Sequence, residues 1–157
     1  MNDKLELKDL VGYLPYGLKI KHGDSLKKMN TGQGSSKYWI GISAVIRWQN
    51  VKAGCKPVLR PLSDLVKEIE VDGHRIVPIE KLFDMLARNK KPDYHDYYYN
   101  VVPNYIECSH PSTAETLKII LYDVFQNPAW MIIEMYKFHF DLNGLIERGL
   151  AVDINKI

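Results

Sequence analysis

Apolar and polar positions change rhythm several times along the chain, and each rhythm predicts an element. In "LELKDLVGYLPYG" (5–17), Leu7, Leu10, Val11 and Leu14 recur at helical spacing until Pro15 and Gly17 interrupt it, which predicts a short helix and a turn. "GLKIKHG" (17–23) then alternates, with Leu18 and Ile20 on one side and Lys19 and Lys21 on the other. The next stretch, "GDSLKKMNTGQGSSK" (23–37), is rich in Gly, Ser, Asn and Lys without any period and is expected to be a mobile loop. The longest alternation is "YWIGISAVIRWQ" (38–49). As a strand it places Tyr38, Ile40, Ile42, Ala44, Ile46 and Trp48 on a core side, and Trp39, Gly41, Ser43, Val45, Arg47 and Gln49 on the other. "CKPVLR" (55–60) predicts another strand, with Pro57 and Leu59 opposite Lys56, Val58 and Arg60, the proline suiting an edge. Together these strands predict a three-stranded antiparallel meander.

Downstream, "PLSDLVKEI" (61–69) predicts a short helix with Pro61 in its first turn. In "IEVDGHRIV" (69–77), Asp72-Gly73 between β-branched runs predicts a hairpin with a type I′ turn. "PIEKLFDMLARN" (78–89) returns to helical spacing through Ile79, Leu82, Phe83 and Leu86. The segment 90–111 is irregular and long for a connector, as functional or disordered loops are. "HPSTAETLKIILYDVFQNP" (110–128) has Ser112 and Glu115 at capping-box spacing and Leu117, Ile120, Leu121 and Val124 on one helical face, so a helix is predicted up to Asn127-Pro128. Asn127 and Pro128 are read as the cap and first residue of the next helix. Along that helix Glu134, Lys137 and Asp141 form one narrow polar stripe, so it is expected to be mostly buried, with Asp141 facing water near Lys137. At the end, Gly149 suits a left-handed cap, and Leu150, Val152 and Ile154 alternate like a final strand.

With 157 residues, one domain over 1–157 with its own core is expected. Hydrophobic residues at 46% and charged residues at 25% set aside disorder and fibrous repeats. The longest apolar run, "AWMII" (129–133), is far below the roughly 20 residues of a bilayer-spanning helix. The charged start "MNDKLELKDL" lacks the apolar core of a secretory signal, which points to the cytoplasm. Two cysteines, Cys55 and Cys108, are too few for a disulfide scaffold. Net charge is +2, but it is divided unevenly. Residues 1–60 carry eleven Lys/Arg against four Asp/Glu, or +7, and residues 61–157 carry ten against fifteen, or −5. Such a division suits either a nucleic-acid-facing surface or two halves that attract each other.

That charge gives the predicted meander its interest. Its side away from the core would present Lys19, Lys21, Trp39, Arg47, Lys56 and Arg60, with Lys27, Lys28 and Lys37 in the adjoining loop. Cations for phosphates and an indole plane for a base are what a binder tracking a nucleic-acid backbone needs. Lysines on outer faces and edges also keep sheets soluble, which is the plainer explanation. A second candidate is the tyrosine-rich segment 93–106, with Tyr94, Tyr97, Tyr98, Tyr99 and Tyr105. These rings either form an adhesive surface for a protein partner or a second copy, or fold the segment down onto the domain.

No pattern identifies catalysis. Asp93, His95, Asp96, Glu107, Cys108 and His110 are metal-ligand types, but their spacing matches no structural zinc motif, so no metal and no cofactor are expected. "GQGSSK" (32–37) lacks the phosphate-loop spacing and precedes a strand rather than a helix. His139 and Asp141 lie two apart, and such residues do not face each other on a helix. His139 is expected to bond a backbone carbonyl or a tyrosine in the core.

The blocks "YLPYGLK" (13–19), "LRPLSDL" (59–65), "DGHRIVPIE" (72–80) and "HFDLNGLIERGLAVDIN" (139–155) resemble a group of uncharacterised short proteins encoded by phages and prophages of Bacteroides-type gut bacteria. The resemblance implies a phage or mobile-element origin and carries no activity or site residue with it. The expectation is therefore an α+β domain, a small antiparallel sheet from the N-terminal half (the meander plus a hairpin) packed against C-terminal helices. It would be a non-catalytic accessory protein of a host-cell cytoplasm, binding nucleic acid through the basic sheet face or a phage or host protein through the tyrosine-rich segment.

Overall fold

The structure, a computed structural model, describes residues 3–22, 25–28, 55–87 and 96–157. In chain order the described strands are β1 (Lys19–His22), β2 (Ser25–Lys28), β3 (Cys55–Leu59), β4 (Ile69–Val71), β5 (His74–Ile76), β6 (Tyr98–Val102), β7 (Tyr105–Ser109), β8 (Thr116–Ile120) and β9 (Val152–Asp153). The described α-helices are α1 (Pro78–Ala87) and α2 (Ala129–Lys137), and 3-10 turns stand at Leu7–Asp9, Leu14–Tyr16, Leu62–Val66, Val124–Gln126 and Ile154–Lys156. The architecture is thus α+β with small, mainly antiparallel sheets, the class predicted from the sequence. The chain divides into two compact units, Met1–Pro61 with Met135–Ile157, and Leu62–Glu134.

In the first unit the helical spacing near the start yields two 3-10 turns instead of the single helix predicted. A Cβ on Gly12, between them, would lie 2.3 Å from Cζ of Tyr136, so that ring occupies the space a larger residue would need. Gly17 closes the second turn at φ 69°, a left-handed conformation glycine adopts without penalty. The sheet runs in the order β2-β1-β3-β9. β1 is antiparallel to both β2 and β3, while β3 and β9 run parallel.

This order corrects the predicted meander, because both edges of β1 are already occupied. The long alternation at 38–49 lies outside the described residues. Ser25–Lys28, expected to belong to a mobile loop, instead forms β2. Its pairing places Ser25 opposite His22 and Lys28 opposite Lys19. Pro57, expected on an edge strand, is interior. β9 pairs only with Val58 and Leu59, so nothing on that side requires an N–H from Pro57. Val58 is buried together with Pro57 and Leu59, which corrects its assignment to an open outer face.

Leu10, Tyr13, Leu18, Leu59, Leu145 and Ala151 form the buried centre of this unit, with Ile20 and Tyr136 packed against it. The chain from α2 returns to the sheet through a bridge between Phe140 and Arg60, in which Arg60 N donates to His139 O and Asp141 N donates to Arg60 O, each at 2.8 Å.

In the second unit the hairpin forms as predicted. Asp72 at φ 50° and Gly73 at φ 80° give the two successive positive angles of a type I′ turn. Helix α1 buries Ile79, Leu82 and Phe83, the stripe predicted for it, and packs on β7 and β8. Two other expectations are corrected. The irregular segment 90–111 contains the antiparallel hairpin β6-β7, and the helix predicted over 110–128 is replaced by β8, which completes the sheet β6-β7-β8. Leu117 and Ile119 are buried while Thr116 and Lys118 are exposed, so this run follows the period of a strand. Asn127 does not cap α2. Its side-chain amide brackets β8 by accepting from Ile120 N at 2.8 Å and donating to Ile120 O at 2.9 Å, and Met131 N bonds Pro128 O instead.

Candidate nucleic-acid interface

The basic face has to be judged from the pairing of β1 with its two neighbours. Paired residues of adjacent strands share a face, and alternate residues along a strand share it too. Lys19 stands opposite Lys28 of β2 and Val58 of β3, and Lys21 opposite Leu26 and Lys56. Four lysine positions therefore share one side of three strands, together with Val58, which is buried. Lys27 stands opposite Ile20, the position of the other side. The cross-strand pair Lys21/Lys56 sets like charges at directly opposite positions, about 5 Å apart at the Cβ atoms, an arrangement that disfavours the sheet.

Lys19 is exposed, and Lys21 and Lys56 are half-buried. Among the described residues none of these three forms an ion pair. Arg60, at the end of the same row, is held by its backbone to the segment at His139 and Asp141 and is half-buried. Lys37, Trp39 and Arg47 lie outside the described residues.

The tyrosine-rich segment divides between its two sides. Tyr97 donates to Asp84 Oδ1 at 2.7 Å and Tyr99 donates to Glu80, so both rings fold down onto α1. Tyr97 also meets Phe83 and His110 edge-on, at centroid distances of 5.8 and 5.2 Å. Burial, with the neighbouring carboxylates, pushes both phenols well above their ordinary range. Tyr98 points the other way and is exposed. Tyr105 carries the Lys118 ammonium 3.9 Å from its ring centroid. Tyr94 lies outside the described residues.

The metal-ligand types do not converge, since among the described residues no three such side chains form a metal-binding group. Asp93 and His95 lie outside the described residues. Asp96 is exposed, Glu107 faces Asn100 and Lys118, and His110 is buried with Ser112 Oγ 2.7 Å from its Nδ1. Cys108 is sealed on the inner side of the sheet. Burial first, then the charges of Glu80 and Asp84, push its thiol up to about 12.

His139 and Asp141 form no dyad. Helix α2 stops at Lys137, and His139 takes a positive φ of 58°, so the helical projection that sent Asp141 to water does not apply. Asp141 is buried and accepts from Leu145 N at 2.8 Å and Ile146 N at 2.7 Å. His139 Nε2 lies 2.9 Å from Tyr16 O, the backbone-carbonyl bond expected of it, on a half-buried residue.

Sequence reasoning missed Lys28 as the cross-strand neighbour of Lys19, and Glu80 and Asp84 as the partners of the tyrosines. The i, i+4 spacing of those carboxylates was visible, but not the strand that meets them. Among the described residues no helix is long and apolar enough to cross a membrane. Comparison of the chain with protein-family models, with curated proteins and with solved structures gives no match.

Proposed function

We propose that the protein is a non-catalytic accessory protein of phage or prophage origin, acting in a host cytoplasm, that binds a nucleic-acid backbone through the lysine side of β1, β2 and β3. The observation that supports this is the pairing of Lys19 with Lys28 and of Lys21 with Lys56. The like-charged pair Lys21/Lys56 disfavours folding, and a polyanion laid across it would turn that repulsion into attraction. The +7 balance of residues 1–60 adds a longer-range field of the same sign.

Electrophoretic mobility shifts with single- and double-stranded oligonucleotides test the proposal. The triple variant Lys19→Glu, Lys21→Glu, Lys56→Glu is expected to lose binding at low salt while keeping the wild-type circular dichroism spectrum. A wild-type protein that shifts neither oligonucleotide at low salt, or a triple variant that binds as well as wild type, would overturn it.

A further inference from the structure

We infer that β6 is the contact through which two copies of this chain pair edge to edge, antiparallel about a two-fold axis at Asn100. The inference is independent of the lysine face and rests on a comparison of sheet edges. An unpaired edge offers backbone N–H and C=O groups to any extended chain, and proteins normally blunt it with charge, proline, short length or a covering group.

The other described edges each carry such a device. β2 has Lys27 and Lys28, and β9 is two residues long. The hairpin β4-β5 has Glu70 on one strand and Arg75 on the other. β8 carries Lys118 and is tied off at Ile120 by the Asn127 amide. β6 has none of these. Its sequence is Tyr-Tyr-Asn-Val-Val, without charge or proline, and among the described residues nothing pairs with its free side. Tyr98 is 64% and Val101 57% exposed, on opposite sides of the sheet, so apolar surface flanks this edge both above and below.

The same five residues are complementary to themselves. An antiparallel pair centred on Asn100 sets Tyr98 opposite the partner's Val102 and Tyr99 opposite the partner's Val101. Aromatic rings against β-branched side chains are favourable cross-strand pairs. Asn100 meets the partner's Asn100, where two amides can exchange hydrogen bonds, and no like charges are brought together. Each sheet β6-β7-β8 thereby becomes half of a continuous six-stranded sheet. A single five-residue contact is small for an interface, so the dimer is weak and concentration-dependent.

Sedimentation velocity over a micromolar to millimolar range tests the pairing, with monomer giving way to dimer as the expected result. Asn100→Lys would place two ammonium groups opposite each other on the axis and is expected to weaken dimerisation roughly tenfold or more. Asn100 is exposed, so the substitution leaves the fold intact. Cross-linking supplies a second measurement. Asn100→Cys puts two thiols on the axis within disulfide reach and is expected to give a covalent dimer on mild oxidation, whereas Val101→Cys, facing the partner's Tyr99, is not. A protein that stays monomeric throughout, which would leave this edge to some other chain, overturns the inference. So does a dimer indifferent to Asn100→Lys, or equal cross-linking from positions 100 and 101.

Discussion

Tyr13 joins two parts of the first unit that are 127 residues apart in sequence. Its buried hydroxyl donates to Phe140 O at 2.7 Å and accepts from Leu142 N at 3.0 Å, and its ring meets Tyr136 edge-on at 4.7 Å. Tyr13→Phe keeps the ring but strands a buried carbonyl and a buried amide. It is expected to destabilise the protein by about 1–3 kcal/mol in urea denaturation, with little change in the spectrum of what remains folded. Asp141 works on the same segment, holding the turn before Leu145 by two charge-assisted bonds. Asp141→Ala is expected to cost at least as much as Tyr13→Phe by the same measurement. Cys108 shows the opposite kind of environment. With its thiol raised from 9.0 to about 12, it is expected to resist alkylation at neutral pH until the second unit unfolds, in a Cys55→Ser background. The same shift has a consequence for stability. A thiol whose pKa is higher folded than unfolded contributes fully below the unfolded value, and that contribution is lost as pH rises from about 9 towards 12. Removing the group by Cys108→Ala should flatten that alkaline decline.

At the scale of elements, the hairpin β6-β7 and α1 meet through a coincidence of periods. Two residues of strand advance about 6.7 Å and four residues of helix about 6 Å, so Tyr97 and Tyr99 reach Asp84 and Glu80 in step. Tyr97→Phe is expected to cost about 1–2 kcal/mol, and a double-mutant cycle with Asp84→Asn should recover most of that loss as coupling. This contact could not be read from the chain, because it joins a helix to a strand that was itself hidden. The β4-β5 hairpin and the buried stripe of α1 were legible, since Asp72-Gly73 and the spacing of Ile79, Leu82 and Phe83 each admit one local solution. β8 was not. Leu117, Ile120, Leu121 and Val124 satisfy helical spacing while Leu117 and Ile119 satisfy the strand period. The apparent cap, Ser112, turns instead onto His110 through both its backbone N–H and its hydroxyl. Thr116, Ile119 and Ile120, branched at Cβ, were the local signal for a strand. Of the candidate face, the alternation of Leu18 to Lys21 was legible, but the partners of β1 depend on the long-range pairing with β3 and on a strand within a glycine- and lysine-rich stretch.

The whole molecule has a discontinuous first unit and a continuous second one. The first needs both ends of the chain. Phe140 O and Leu142 N hold Tyr13, β9 extends the sheet, and Arg148 grips Asp3 through paired bonds of 2.7 Å. A chain ending at residue 134 is therefore expected to lose the first unit's cooperative unfolding transition, as followed by near-ultraviolet circular dichroism. The Arg148 guanidinium also lowers the Asp3 pKa, so this closure is held above the ordinary carboxylate range and released as pH falls through the lowered value. Both side chains are partly exposed, which makes the pair sensitive to salt. Charge is organised on the same scale, with a basic sheet face in the first unit and a neutral, apolar sheet edge in the second.

The most direct test of the lysine face is the salt dependence of binding to a short single-stranded oligonucleotide, followed by fluorescence anisotropy for the wild-type protein and for Lys19→Ala, Lys21→Ala and Lys56→Ala. If the face tracks phosphates, the logarithm of the affinity falls linearly with the logarithm of salt concentration, and each substitution makes that slope shallower by about 0.7. Binding whose salt slope is the same in all four proteins would place the contact elsewhere and contradict the account.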